Sequence, residues 1–298
     1  MMYHKSVLLS ECVEALKISP GRIYVDATYG GGGHAGAILE KLEGGRLIAF
    51  DQDAEALANR IDDPRLTMVN HNFRFLRNFL KLHRALPADG ILADLGISSH
   101  QIDQPERGFS TRFDGKLDMR MDRKKKTTAQ NIVNKYSEER LGVLFSRYGE
   151  IRNARKLASR IVEIRNATPL ETTLQLCEIA DTCATRGQEF KYRAQIFQAL
   201  RIEVNQEIDA LGEFLLQAAQ SLAPGGRLAV ISYHSLEDRM VKHFFRSGNF
   251  EGRVEKDFFG NIIAPLKSIT RKAIVPGADE IKENNRARSA KLRVAEKI

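Results

Sequence analysis

The chain has 298 residues, enough for one large domain or two modest ones that bury a sizeable core without disulfide or metal staples. Its 43% hydrophobic and 28% charged content is that of a globular protein, and no apolar run approaches the roughly 18 residues of a membrane span. Lys and Arg number 46 against 38 Asp and Glu, and the resulting charge of +8 suits a polyanionic partner, because each neutralised phosphate releases condensed counterions.

Residues 1–16 carry Glu11 and Glu14 among apolar positions and lack a secretory-leader pattern, so the expectation is a cytoplasmic protein. Arg22 to Asp26 then reads as a buried strand that runs into a glycine loop. A helix is expected over 34–42, with Ala35, Ile38, Leu39 and Leu42 on one face. A second strand covers 46–51, a helix 54–61, a third strand 66–69, a helix 73–86 and a fourth strand 90–94. This alternation is the βαβ grammar of a mostly parallel sheet.

The grammar stops after Asp94. Residues 98–126 are polar and end in the basic run Arg123-Lys124-Lys125-Lys126. Apolar stripes at helical spacing follow, first Ile151, Ala154, Leu157, Ala158 and Ile161, then Leu170, Leu174, Cys177 and Ala180. A longer stripe from Phe197 to Leu222 predicts one continuous helix. Pro224-Gly225-Gly226 ends it and opens a fifth strand, 227–232, with residues 262–264 and 292–295 as a closing antiparallel pair. The expected fold is therefore α/β, a discontinuous Rossmann-like sheet domain with an inserted all-α domain. The sheet domain comprises residues 1–117 and 206–298, and 118–205 form the helical insertion.

The most informative stretch is Asp26-Ala-Thr-Tyr-Gly30-Gly31-Gly32-Gly33-His34-Ala-Gly36. Four glycines between a strand and a helix let a ligand approach the backbone without meeting Cβ atoms. In an open α/β sheet this is the cofactor crevice, and an acid about 20 residues on accepts the ribose hydroxyls; Asp51 stands there. Gly31, Gly33 and Gly36 satisfy GxGxxG, which alone fits nicotinamide, flavin and S-adenosylmethionine alike. Asp26 and Asp94 close neighbouring strands with carboxylates, an arrangement that attracts a sulfonium and an ammonium and repels a pyrophosphate. Cys12, Cys177 and Cys183 show neither CxxC nor zinc-ligand spacing and read as buried thiols, with no metal site.

Seven motifs, the glycine loop first among them, run in order along the chain. They are Asp26-x-Thr28-x-Gly30-x-Gly32-Gly33-His34, Asp94-Leu-Gly-Ile-Ser-Ser-His-Gln101, Arg107-Gly-Phe-Ser110, Leu117-Asp-Met-Arg-Met-Asp122, Phe197-Gln-Ala-Leu-Arg-Ile202, Ser232-Tyr-His-Ser-Leu-Glu-Asp-Arg239 and Arg286-Ala-Arg-Ser289. Together they resemble the RsmH (MraW) family, methyltransferases of a cytosine N4 in the decoding centre of 16S ribosomal RNA. The resemblance implies a class I methyltransferase sheet with S-adenosylmethionine as cofactor, contacted by Gly32, Gly33, His34, Asp51, Phe73, Asp94 and Gln101. It implies 16S ribosomal RNA or the small ribosomal subunit as partner, and no membrane. Two stretches depart from the family pattern, Tyr192 to Ile196 and Asn284-Asn285-Arg286, both outside the cofactor motifs.

Asp94 is the candidate catalytic acceptor for charge developing on the amine, with Ser98 and Ser99 as candidates for orienting it. Tyr233-His234-Ser235 suggests either a His–Ser pair or a helix start at Ser235 with Asp238 as capping acid. Arg123 to Lys126, Arg152, Arg155, Arg286, Arg288 and Arg293 are candidate phosphate contacts. A nicotinamide-dependent oxidoreductase rests on GxGxxG and Asp51 alone, and a non-catalytic RNA-binding assembly factor would not need the intact acids.

Overall fold

The computed structural model describes residues 6–298; the first five residues of the segment read as lacking a leader lie outside the described residues. The elements run α1 (Leu9–Leu16), β1 (Ile23–Asp26), α2 (Gly33–Lys41), β2 (Arg46–Phe50), β3 (Leu66–Val69), α3 (Leu76–Leu82), β4 (Ala88–Asp94) and α4 (Ser99–Asp103). Then come α5 (Ala129–Lys135), α6 (Glu138–Gly149), α7 (Ala154–Ala167), α8 (Thr173–Cys183), α9 (Glu189–Asn205) and α10 (Glu207–Ser221). The chain closes with β5 (Leu222–Ser232), α11 (Ser235–Ser247), β6 (Leu266–Ser268), α12 (Ala278–Glu283) and β7 (Lys291–Lys297). These fold into two compact units, one of the chain up to Gly96 with Ile208–Ile298, the other Ile97–Glu207. Among the described residues no helix is long and apolar enough to cross a membrane.

The first unit is a sheet in the order β3-β2-β1-β4-β5-β7-β6. β1 to β5 are parallel to one another, while β7 runs antiparallel to both β5 and β6. Side chains alternate between its faces. Val25, Ile48, Ile91 and Val230 pack into one core with Leu76, Phe214 and Phe244, from α3, α10 and α11. Tyr24, Leu47, Leu92 and Ile231 pack into the other with Cys12 and Ile38, from α1 and α2. A sheet covered on both faces explains why its strands read as unbroken apolar runs.

Several expectations shift. Residues 54–59 and 73–75 form 3-10 turns, and the helix after β3 is shorter than expected: Arg84 takes a positive φ just beyond it. The strand beside β7 is Leu266–Ser268 rather than 262–264, because Leu266 is the residue that inserts into the core while Ile262 and Ile263 stay exposed. The stripe from Phe197 to Leu222 is two helices: Gln206 adopts a left-handed φ of 56° and separates α9 from α10. Pro224-Gly225-Gly226 lies within β5, where the register to β4 shifts.

The second unit is helical, and its core joins Phe145, Leu157, Ile161, Leu176 and Leu200 from α6 to α9. It begins at Ile97, earlier than the expected 117/118 boundary, because Phe109, Leu117, Met119 and Met121 are buried in this helical core. The Leu117–Asp122 motif is thus a structural strap. Asp118 pairs with Arg120, whose guanidinium also donates to the carbonyls of Arg123 and Lys125. Asn205, at the end of α9, is buried and ties the strap down: its amide donates to the Met119 carbonyl (2.8 Å) and accepts from the Met121 N–H (2.9 Å). Asn205→Ala is expected to destabilise this unit by about 1–3 kcal/mol for each orphaned backbone group. Thermal unfolding of parent and variant checks it, and an unchanged midpoint would show the strap to be held by its methionines alone.

Candidate active site

Strand order reverses between β1 and β4, and the carboxyl ends of β1, β2 and β4 share one edge of the sheet, where ligands of open α/β folds bind. Asp26 ends β1, Asp51 follows β2 and Asp94 ends β4, so the three acids named from the sequence lie along one edge. Asp26 is buried; Oδ1 accepts from the Thr28 N–H (3.0 Å), whereas Oδ2 has no partner among the described residues. Burial pushes its carboxyl up to about 6, against the pull of His34 and the Thr28 N–H. Asp51 accepts from the N–H groups of Gly30 and Asp53, both at 2.8 Å, and so fixes the glycine loop against β2.

Asp94 keeps 23% of its side chain exposed, and its carboxyl is nonetheless raised to about 7, burial being the main cause and the Tyr233 hydrogen bond opposing it. That bond runs from the Tyr233 hydroxyl to Oδ1 at 2.8 Å. The backbone N–H of Asp94 donates to Thr28 Oγ1 (2.6 Å), which ties the ends of β1 and β4 together. His34, buried at the start of α2, places Nδ1 3.9 Å from Asp94 Oδ2 and Nε2 3.1 Å from the Val7 carbonyl. A carbonyl only accepts, so Nε2 carries the proton. Burial lowers the ring's proton affinity, which leaves Nδ1 with its lone pair.

The glycines divide by steric need rather than by the GxGxxG pattern. Gly32 sits at φ 80°, and a Cβ there would lie 2.7 Å from the Tyr29 hydroxyl oxygen. That ring cannot yield, because its hydroxyl donates to the Asn59 carbonyl and accepts from the Ile61 N–H. A Cβ on Gly33 would meet Ser6 Oγ at 2.0 Å. On Gly36 it would make only an ordinary 3.5 Å contact with Ile61. No side chain caps the N-terminus of α2, whose cap is Gly32 itself.

Of the remaining expected contacts, Phe73 sits half-buried in the turn after β3, with its ring 5.2 Å from Phe214 in a T-shaped arrangement. Gln101 belongs to the helical unit, where it is buried in a capping box with Ser98 at the start of α4. Ser98 is therefore a helix cap. The capping box of α11 starts one residue earlier than expected, at His234 with Glu237, which assigns that histidine to the helix start rather than to a His–Ser pair. Arg293 is buried and bonded to Asp238 at 2.7 Å, and Lys125 Nζ donates to the Asn205 carbonyl, so neither presents its charge as expected. Arg123, Lys124, Lys126, Arg152, Arg155 and Arg288 are exposed.

The sequence reading missed Thr28 and Tyr233 as site residues. The available signal was position: Ile231 is the register partner of Asp94, and Tyr233 lies two residues beyond it.

The model of the MraW methylase family matches residues 1–298. The chain belongs to the MraW methylase family. Among relatives named ribosomal RNA small subunit methyltransferase H, that of Flavobacterium johnsoniae is 56% identical over 299 residues, covering 100% of this chain and 99% of its own. That of Bacteroides fragilis is 55% identical over 296 residues, 99% of this chain and 97% of its own. That of Christiangramia forsetii is 54% identical over 299 residues, 100% and 99%. A MraW methylase with this geometry holds three acids beside a glycine loop, or cradle, in which Gly32 and Gly33 leave no room for a methyl group.

Two outcomes are expected. Gly32→Ala should weaken donor binding by more than about tenfold, whereas Gly36→Ala, inside α2, should leave it unchanged and stabilise the fold by about 0.5–1 kcal/mol; calorimetric titration and thermal melts compare them, and equal behaviour would contradict the cradle. Because folding raises the Asp26 pKa from 3.8 to about 6, the folded state binds the extra proton between those values. Its favourable contribution is complete below about pH 4 and is lost as pH rises through about 6. Asp26→Asn should therefore gain stability relative to the parent across that window, read as the difference between their melting curves.

Proposed function

We propose that this chain methylates N4 of a cytosine in the decoding centre of 16S ribosomal RNA, using S-adenosylmethionine, and acts on that RNA or the small subunit in the cytoplasm. The observation that carries this reading is the trio of carboxylates at the switch point, one with a buried oxygen that lacks a partner among the described residues, in a chain that matches its family over residues 1–298. The donor supplies an electrophilic methyl group on a sulfonium, and its sulfonium and ammonium complement these acids, as a pyrophosphate would not. The relatives' names point to ribosomal RNA of the small subunit, and the charge of +8 suits a phosphate-rich substrate.

In this reading Gly32 and Gly33 admit the donor to the backbone at the N-terminus of α2, beside His34. Asp51 accepts from the ribose hydroxyls, since a carboxylate has acceptor sites for more than one donor on each oxygen. Phe73 offers its ring to the adenine, and the family resemblance adds Asp94 and Gln101 to the donor contacts. The helical insertion, expected over 118–205, recognises RNA. The lone pair of cytosine N4 is delocalised into its ring, so alignment does most of the work, worth about 7–11 kcal/mol when geometry is fully prearranged. Positive charge grows on N4 during attack, and ionised Asp94 stabilises it by accepting the amine's hydrogen bond. The base must leave its stack to reach the site.

Asp94→Ala is expected to reduce labelled-methyl transfer to small-subunit RNA by at least about a hundredfold with the fold intact. Activity within a factor of two of the parent would remove Asp94 from the mechanism. Mass spectrometry of the product nucleoside tests the site: a methyl on C5 or a ribose oxygen overturns the N4 assignment.

A further inference from the structure

We propose that Tyr233 is the positioning residue of the transfer step: its hydroxyl pins Oδ1 of Asp94 and leaves Oδ2 as the oxygen that receives the amine proton. This rests on the function proposed above and deepens it, assigning a task to a side chain outside the expected cofactor and catalytic set.

The backbone of Tyr233 is held from several sides. Its N–H donates to Glu237 Oε2 at 2.9 Å, and Glu237 is itself buried within the capping box of α11. The next residue, Asp238, is clamped by Arg293 (2.7 Å) and Lys291 (3.3 Å) from β7. On the ring side lies Gly96 at φ 102°, where a Cβ would sit 3.4 Å from the tyrosine Cδ2. A ring so placed delivers its hydroxyl to Asp94 Oδ1 at 2.8 Å. Burial and the neighbouring carboxylate push the phenol far above its usual range, so it stays protonated and always donates.

The other oxygen has a different environment. Oδ2 is faced by His34 Nδ1 at 3.9 Å, too far for a hydrogen bond. That nitrogen presents a lone pair, since Nε2 spends the ring's one proton on the Val7 carbonyl. Asp26, Glu237 and the Cys12 thiol of α1 also act on Asp94 electrostatically among the described residues, and none of the three is a cation. The carboxylate is thus asymmetric: Oδ1 is satisfied, and Oδ2 has no donor among the described residues. As N4 forms its bond to the methyl carbon, the carbon–sulfur bond breaks with its electron pair on sulfur. The surplus N4 proton then passes to Oδ2. Tyr233 assists by holding the rotamer and by favouring the ionised carboxylate before the transfer.

The test pairs Tyr233→Phe with replacement of Tyr233 by 3,5-difluorotyrosine, a stronger donor of the same shape. Two readouts are used: the carboxyl-carbon NMR titration of Asp94 in the unliganded protein, and the pH profile of kcat with KM for donor and RNA. The phenylalanine variant is expected to raise the Asp94 titration and the acidic limb of kcat by about one pH unit, a loss of about tenfold in kcat below the limb. Both KM values should stay within about twofold, and the difluorotyrosine protein should move both readouts the opposite way. An Asp94 titration that is unmoved in a folded Tyr233→Phe protein overturns the proposal, as does a fall in kcat with the limb in place. If the phenylalanine variant does not fold, the difluorotyrosine protein decides alone. A parent that transfers no methyl defeats the proposed function instead, while the carboxyl titration still tests the Tyr233 bond.

Discussion

The molecule is organised around a repulsion. Parallel strands deliver their carboxyl ends to a single edge, and at β1, β2 and β4 each end is followed or formed by an aspartate. Three like charges near a low-dielectric core are unfavourable. Among the described residues the chain meets this with hydrogen-bond donors: the Thr28 N–H on Asp26, the Gly30 and Asp53 N–H groups on Asp51, and the Tyr233 hydroxyl on Asp94. Burial raises the carboxyl pKa values of Asp26 and Asp94 all the same, and one buried Asp26 oxygen has no partner among the described residues. The site is complementary to a cation because its own charges are incompletely balanced without one.

The conformation of the loops follows from that arrangement. Gly32 takes a backbone angle and a clearance that only glycine accepts, because Tyr29 fills the space a side chain would need. Tyr29 in turn is locked by Asn59 and Ile61, so the rigidity of the cradle is built from the turn after β2 as much as from the loop itself. Glu237 and the α11 cap play the corresponding part on the far side of Asp94.

Much of the sheet was legible in the sequence because β1 to β5 are apolar runs punctuated by glycine, proline or aspartate. Where the reading drifted, a tertiary effect had no local trace. Ile262-Ile263 looks more strand-like than Leu266-Lys267-Ser268, yet only the latter register puts a leucine into the core. The heptad-like stripe from α9 into α10 hides a left-handed residue, since Gln206 carries no glycine or proline to announce it. Along the sheet edge, residue types with one strong meaning, Asp26, Asp51, Asp94 and the glycines, could be placed from the sequence. Residues whose role depends on a partner distant in sequence were not: Arg293 looks like a phosphate ligand until Asp238 is placed beside it, and Tyr233 looks like a strand-end aromatic until β4 lies next to β5. GxGxxG proved a poor guide, for it selects Gly36, which space does not require, and omits Gly32, which it does.

The interruption of the sheet between β4 and β5 has a consequence for biosynthesis. On the ribosome, β1 to β4 emerge first, and the flank of β4 that later receives β5 has no partner until the whole helical unit has been made. At about 5–20 residues per second the delay is on the order of ten seconds. For that interval an apolar, hydrogen-bond-hungry edge is open to neighbouring nascent chains. The helical unit, with its own core, can condense meanwhile, so the period of greatest aggregation hazard belongs to the half-built sheet and ends only when Leu222–Ser232 docks.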